Sequence, residues 1–159
     1  MPKTRSADMQ RAIDRCESCR EVCLQAVAHC LQRGGSHAAP NHITTLLDCA
    51  DMCGISANFM LRDSALHLRT CEACAIVCDV CAKSCETFPD DEVMRRCGEE
   101  CRRCADSCRA MVRSTVQNWL RTVNSTDNPQ PEAEHGHTSS DRNDGLAEPG
   151  DAARASDRP

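Results

Sequence analysis

Cysteine recurs in this chain at steps that alternate three and four, most plainly in Cys71, Cys74, Cys78, Cys81 and Cys85. An α-helix turns once in about 3.6 residues, so these steps keep every thiol on one face. The same alternation runs through Cys97, Cys101, Cys104 and Cys108, and through Cys16, Cys19 and Cys23 with Cys30 one heptad further on; Cys49 and Cys53 give a shorter instance. The seam that holds leucine in an ordinary helical bundle holds sulfur here. No strand pattern competes with this period, so the chain is read as all-α.

Punctuation divides the periodic stretches. Gly34-Gly35 after Arg33 has the character of a helix C-terminus, and Pro40 opens the next segment. Asp63-Ser64 offers N-cap oxygens, and Thr87-Phe88-Pro89 followed by Asp90, Asp91 and Glu92 marks another stop and restart. The expected helices are Ser6 to Arg33, Pro40 to Arg62, Ser64 to Thr87 and Pro89 to Val123, each about 35 to 50 Å long. Short connections make neighbours antiparallel, which predicts an up-down-up-down four-helix bundle over residues 1–123.

Extending the cysteine register predicts the remaining inward positions. Helix one reads Met9, Ala12, Cys16, Cys19, Cys23, Ala26 and Cys30; helix two reads His42, Leu46, Cys49, Cys53, Ser56 and Met60, flanked by Ile43, Leu47, Ala50 and Ala57. Helix three reads His67, five cysteines and Phe88, and helix four reads Met94, four cysteines and Met111. The predicted core is a tube lined by ligands.

Eight of the 24 acidic and three of the 19 basic residues lie in 124–159, so the whole net charge of −5 sits there and the body carries sixteen of each sign. A neutral body gives no support to nucleic-acid binding. Residues 124–159 are polar and acidic, with Leu146 their one branched apolar residue, and are expected to be a disordered tail whose His135 and His137 are merely solvated. The first fifteen residues carry six charges and no apolar run, so neither a signal peptide nor a membrane span is expected, and the expected location is the cytoplasm. Thiols stay reduced there, and fifteen cannot all pair within one chain.

Reduced thiols at helical spacing point to metal. A seam of cysteine used only as a small hydrophobe would leave the core underfilled. Thiolates with few imidazoles or carboxylates on the same face suit a soft ion, Cu(I) above all. Zinc is the main rival, but a structural zinc site gathers four ligands from discrete knuckles, whereas CxxC and CxxxC pairs overlap continuously here. Bacterial ferredoxin spacing is absent, and no βαβ pattern supports a CxxC redox enzyme. No catalytic acid, base or nucleophile arrangement is visible, so the chain is not read as an enzyme. The ligand set comprises Cys16, Cys19, Cys23, Cys30, Cys49, Cys53, Cys71, Cys74, Cys78, Cys81, Cys85, Cys97, Cys101, Cys104 and Cys108. If each copper takes two thiolates and each thiolate serves two coppers, capacity is about one Cu(I) per cysteine.

Over about Met9 to Thr115 the chain resembles the four-helix-bundle copper storage proteins, in particular their cytosolic branch. The most specific portion is Cys71-x2-Cys74-x3-Cys78-x2-Cys81-x3-Cys85 followed by Cys97-x3-Cys101-x2-Cys104-x3-Cys108, with Asp48-Cys49-Ala50-Asp51-Met52-Cys53 before it. The resemblance implies a reversible Cu(I) store, assembled as a homotetramer of bundles that load from one open end. It departs in the turn between helices three and four, where similar sequences often carry histidine and this chain has Phe88, Pro89 and Asp90.

Antiparallel order brings Met9, Met60, His67 and Met111 to one end. Thioether and imidazole hold Cu(I) less tightly than thiolate, so this end is the expected entrance, with Met60 and His67 as ligands. Loading releases protons, because thiols are mostly protonated at neutral pH. Two other readings stay open: a zinc or mixed-metal thiol buffer resembling a helical metallothionein, and a copper-delivery protein that docks through the tail.

Overall fold

Ser6 opens the first helix, its Oγ accepting the Met9 N–H at 3.1 Å. The computed structural model describes residues 5–125 and contains four helices: α1 (Ala7–Arg33), α2 (Pro40–Leu61), α3 (His67–Cys85) and α4 (Glu92–Asn124). Gly34 and Gly35, at φ 72° and 57°, occupy left-handed backbone that suits glycine, and they turn the chain out of α1. A 3-10 turn, Gly35–Ala38, then leads to Pro40 at the first position of α2.

Two helix starts differ from expectation. Helix α3 begins at His67, because Asp63 adopts φ 51° and Ser64 uses its Oγ to close a turn with the Leu66 N–H at 3.2 Å. Helix α4 begins at Glu92, because the cap is Asp91, whose Oδ1 accepts from Val93 and Met94 N–H at 2.9 and 3.2 Å. Its carboxyl is held down at about 2, chiefly by the hydrogen bond from His29. The expectation for 124–159 meets the described residues only at Asn124, which ends α4, and Ser125; the remainder, with His135 and His137, lies outside them.

Each helix packs on its neighbours in chain order, and α4 closes on α1. The diagonal pairs, α1 with α3 and α2 with α4, bring no Cα atoms within 8 Å of each other. That leaves an axial space for side chains, and all fifteen cysteines fill it, each at most 1% exposed. Ala12, Ala26, Ala50, Ala57, Ala75, Ala82 and Ala105 are buried beside them, so the helices meet largely through small residues. Few large side chains are fully buried: Ile13, Leu46, Met60 and Met94. Leu47, expected to flank the core, is instead 39% exposed.

With so few large side chains, each carries a large share of apo stability. Leu46→Ala is expected to cost about 2–5 kcal/mol in the metal-free protein. At Gly98 an added Cβ would meet Ala82 O and Cys85 Cβ at 3.5 Å, ordinary van der Waals contact. Gly98→Ala should therefore raise stability by about 0.5–1 kcal/mol. Denaturant titration of both variants checks the pair of opposite signs.

Candidate metal centre

Because the register is 3-4-3-4 on antiparallel helices, thiols from all four elements interleave along the axis. Thirteen sulfur pairs are of the kind Cys53–Cys78 at 3.6 Å, Cys19–Cys101 at 3.7 Å and Cys23–Cys97 at 3.8 Å. Diagonal pairs also meet: Cys16–Cys74 at 3.9 Å joins α1 to α3, and Cys53–Cys104 at 3.8 Å joins α2 to α4. A metal with sulfur bonds of about 2.3 Å, the zinc length, sets three coplanar thiolates about 4.0 Å apart and four tetrahedral ones about 3.8 Å apart. The sulfur spacing already approximates that of three- or four-coordinate metal.

Four groups of four thiols converge within 4.8 Å: Cys16, Cys74, Cys104, Cys108; Cys19, Cys53, Cys78, Cys104; Cys19, Cys23, Cys49, Cys101; and Cys23, Cys81, Cys97, Cys101. Successive groups share Cys104, Cys19, and then Cys23 with Cys101, so they form a ladder and not separate sites. No group contains both members of a CxxC pair, whereas three contain a CxxxC pair. The knuckle arrangement of a structural zinc site is thus absent from these groups.

Cys71, Cys85 and Cys30 extend the ladder towards its ends. Cys71 Sγ donates to Met60 Sδ at 3.7 Å and accepts from Ser56 Oγ at 3.6 Å. Cys30 Sγ donates to Met94 Sδ at 3.6 Å and lies 3.5 Å from His42 Nε2. His42 and Met94 stand on the inward register, yet cysteine spacing alone gave no reason to name them as donors. Burial lowers the His42 pKa and so favours the neutral imidazole that binds metal.

The two ends differ. Beyond Cys30, Phe88 closes the axis between the rings of His37 and His42, at centroid distances of 4.1 and 4.9 Å. At the other end a cavity of about 290 Å³ is lined by Arg5, Ser6, Met9, Asp63, His67, Met111 and Thr115. His67 Nδ1 donates to the Ser64 carbonyl at 2.7 Å, and its Nε2 is buried without a partner. A ligating histidine is commonly oriented in this way, one nitrogen tied to a carbonyl and the other bearing a free lone pair.

Proton affinities vary along the ladder. Cys16 is lowered to about 6, chiefly because Cys104 donates to its sulfur. Cys19, Cys49, Cys74 and Cys97 are also lowered, chiefly by the hydrogen bond with Cys101, or with Cys104 in the case of Cys74. Cys101, Cys104 and Cys108 are raised by hydrogen bonds with neighbouring thiols and by burial. Cys30 is pushed up to about 11 by burial and then by the Asp91 charge.

The family model described as copper storage protein matches residues 5–113. A crystal structure of a Nitrosospira multiformis protein is 40% identical, with a TM-score of 0.63 over 67% of this chain and 96% of that one. The Cu(I)-bound copper storage protein BsCsp3 is 28% identical, TM-score 0.63, over 66% and 98% of the two chains. The apo copper storage protein 3 of Bacillus subtilis is 27% identical, TM-score 0.59, over 65% and 97%. No curated protein matches. With its core sulfurs gathered as described, the chain belongs to the copper storage protein family.

Proposed function

We propose that all fifteen thiols, with Met60 and His67, are the ligands through which this copper storage protein holds Cu(I), at about one ion per cysteine. The observation that carries the reading is the sharing of Cys19, Cys23, Cys101 and Cys104 between successive groups. Shared thiolates bridge ions, which suits two- and three-coordinate Cu(I) and a continuous store. Anaerobic titration of the reduced apo protein against a chromophoric Cu(I) chelator is expected to give about fifteen tightly held ions, with far fewer Zn(II). Saturation at about three or four ions, equally well by zinc, would favour the thiol-buffer reading instead.

Each Cu(I) displaces about one proton, so charge does not build up as the tube fills. Cys16, lowered chiefly by its hydrogen bond with Cys104, gives up its proton more readily than Cys30, which burial pushes up. As pH falls, protons compete with Cu(I) for the thiolates. Apparent affinity should therefore drop steadily between neutral and mildly acidic pH, and a flat competition titration over that range would count against thiolate ligation.

Ions enter, on this reading, through the cavity edged by Met9, His67 and Met111, and pass Met60 to reach Cys71. The free Nε2 of His67 supports this. His67→Ala should slow loading several-fold and remove about one ion from the final count, as stopped-flow transfer from a Cu(I) complex would measure.

The bundle acts in the cytoplasm and without a catalytic role. All fifteen cysteines are free, as a reducing compartment requires. Among the described residues no helix is long and apolar enough to cross a membrane. The chain assembles as a homotetramer. Val116, Trp119, Leu120 and Val123, all 44–63% exposed, form an i, i+3, i+4, i+7 stripe on α4 beyond Met111, which suits association. Light scattering should give four times the chain mass, and Trp119→Glu should lower it.

A further inference from the structure

Outside the thiol column, three side chains that no cysteine pattern predicts come together at the Phe88 end. They are His29 near the end of α1, His37 in the 3-10 turn and Asp91 at the cap of α4. His29 Nε2 and His37 Nε2 lie 2.8 and 3.1 Å from the same oxygen, Asp91 Oδ2, and all three donor atoms fall within 4.8 Å of one another. We propose that His29, His37 and Asp91 form a separate site for one divalent transition-metal ion of the zinc class.

The donor set decides the ion. Two imidazoles and a carboxylate are borderline to hard ligands, suited to Zn(II) and its divalent neighbours and poorly suited to Cu(I). Three protein ligands leave at least one coordination position for water. Each ligand is also held in place by something else. Oδ1 of Asp91 is committed to the Val93 and Met94 N–H groups, which aims Oδ2 at the imidazoles. The His37 ring rests on Phe88, and its position in the 3-10 turn keeps Nε2 on Oδ2. Side-chain exposures of 27%, 13% and 7% for His29, His37 and Asp91 leave a partly open face through which an ion can arrive.

The opposing feature is Arg33, whose Nε stands 3.9 Å from Oδ2. Its side chain is 59% exposed and free to swing into solvent, so it competes with a cation without blocking one. Phe88 stands between His37 and His42, and so screens the site from the first buried sulfur, Cys30. A bound ion would tie α1, the 3-10 turn and α4 together at the end of the bundle opposite the His67 cavity.

The test is a Co(II) titration of tag-free, full-length protein whose thiols are first filled with Cu(I), followed by visible absorption and by metal analysis after dialysis. The expected result is one cobalt per chain with weak ligand-field bands and no sulfur-to-cobalt charge-transfer band. His29→Ala, His37→Ala and Asp91→Asn should each weaken cobalt binding by at least about tenfold while the copper count stays the same. Asp91→Asn retains an N-capping side chain, so its loss of cobalt reports the missing charge and not a frayed helix. Arg33→Ala should tighten binding, and replacing His135 and His137 together with Ala should leave it unchanged. No cobalt retained by the copper-filled chain, a signal that follows His135 and His137, or binding equal in all three ligand variants would overturn the proposal. A charge-transfer band would mean cobalt on thiolate, and a low copper count beside it would point to failure of the copper reading, not of this site.

Discussion

Sulfur atoms 3.6–3.9 Å apart along a bundle axis constrain nearly everything else in the molecule. To meet at that distance from four helices, the thiols must all face inward, the diagonal helices must stay apart, and the neighbours must approach through small side chains. Alanine supplies that approach at seven buried positions, and Gly98 does so against Ala82 and Cys85. The result is a core whose shape is set by donor geometry before apolar packing. Ordinary bundles maximise buried hydrocarbon, whereas this one spends its interior on short polarisable groups and leaves stability to a few anchors such as Ile13 and Leu46.

The same constraint explains why the ends are unlike each other. A ladder of bridging sites needs one place where ions can be handed in and another where the column stops. Phe88 supplies the stop, held between two imidazoles. At the far end the cavity beneath Met9 and Met111 leaves a buried histidine nitrogen without a hydrogen-bond partner, which a protein tolerates at a cost when the group has a task. On the entry route proposed above, soft but weak donors would precede strong ones, a descending gradient in free energy from thioether or imidazole to thiolate.

Helix number, order and inward face were legible in the residues because a period of three and four admits one secondary structure, and every cysteine of the register is buried. What the pattern could not supply were features made by single side chains choosing among partners. Ser64 looks like a helix cap and closes a turn instead; Asp91, second in an acidic run, is the cap. Leu47 lies beside the seam but falls on the solvent side. His42 stands on the register, but only the fold brings it to 3.5 Å from Cys30. His29 is off the seam and His37 sits in a connection, so their meeting at Asp91 is a product of tertiary placement.

Contacts such as Cys16–Cys74 and Cys53–Cys104 span the bundle diagonally, joining helices whose backbones do not touch. An ion bound across such a pair is a strut as well as cargo. Occupancy then adds to folding free energy through linkage, and with many tight ions the full chain opens far more rarely than the empty one. Proteases that act on opened chains would remove the empty members of the population first. The lifetime of each molecule would then follow its contents.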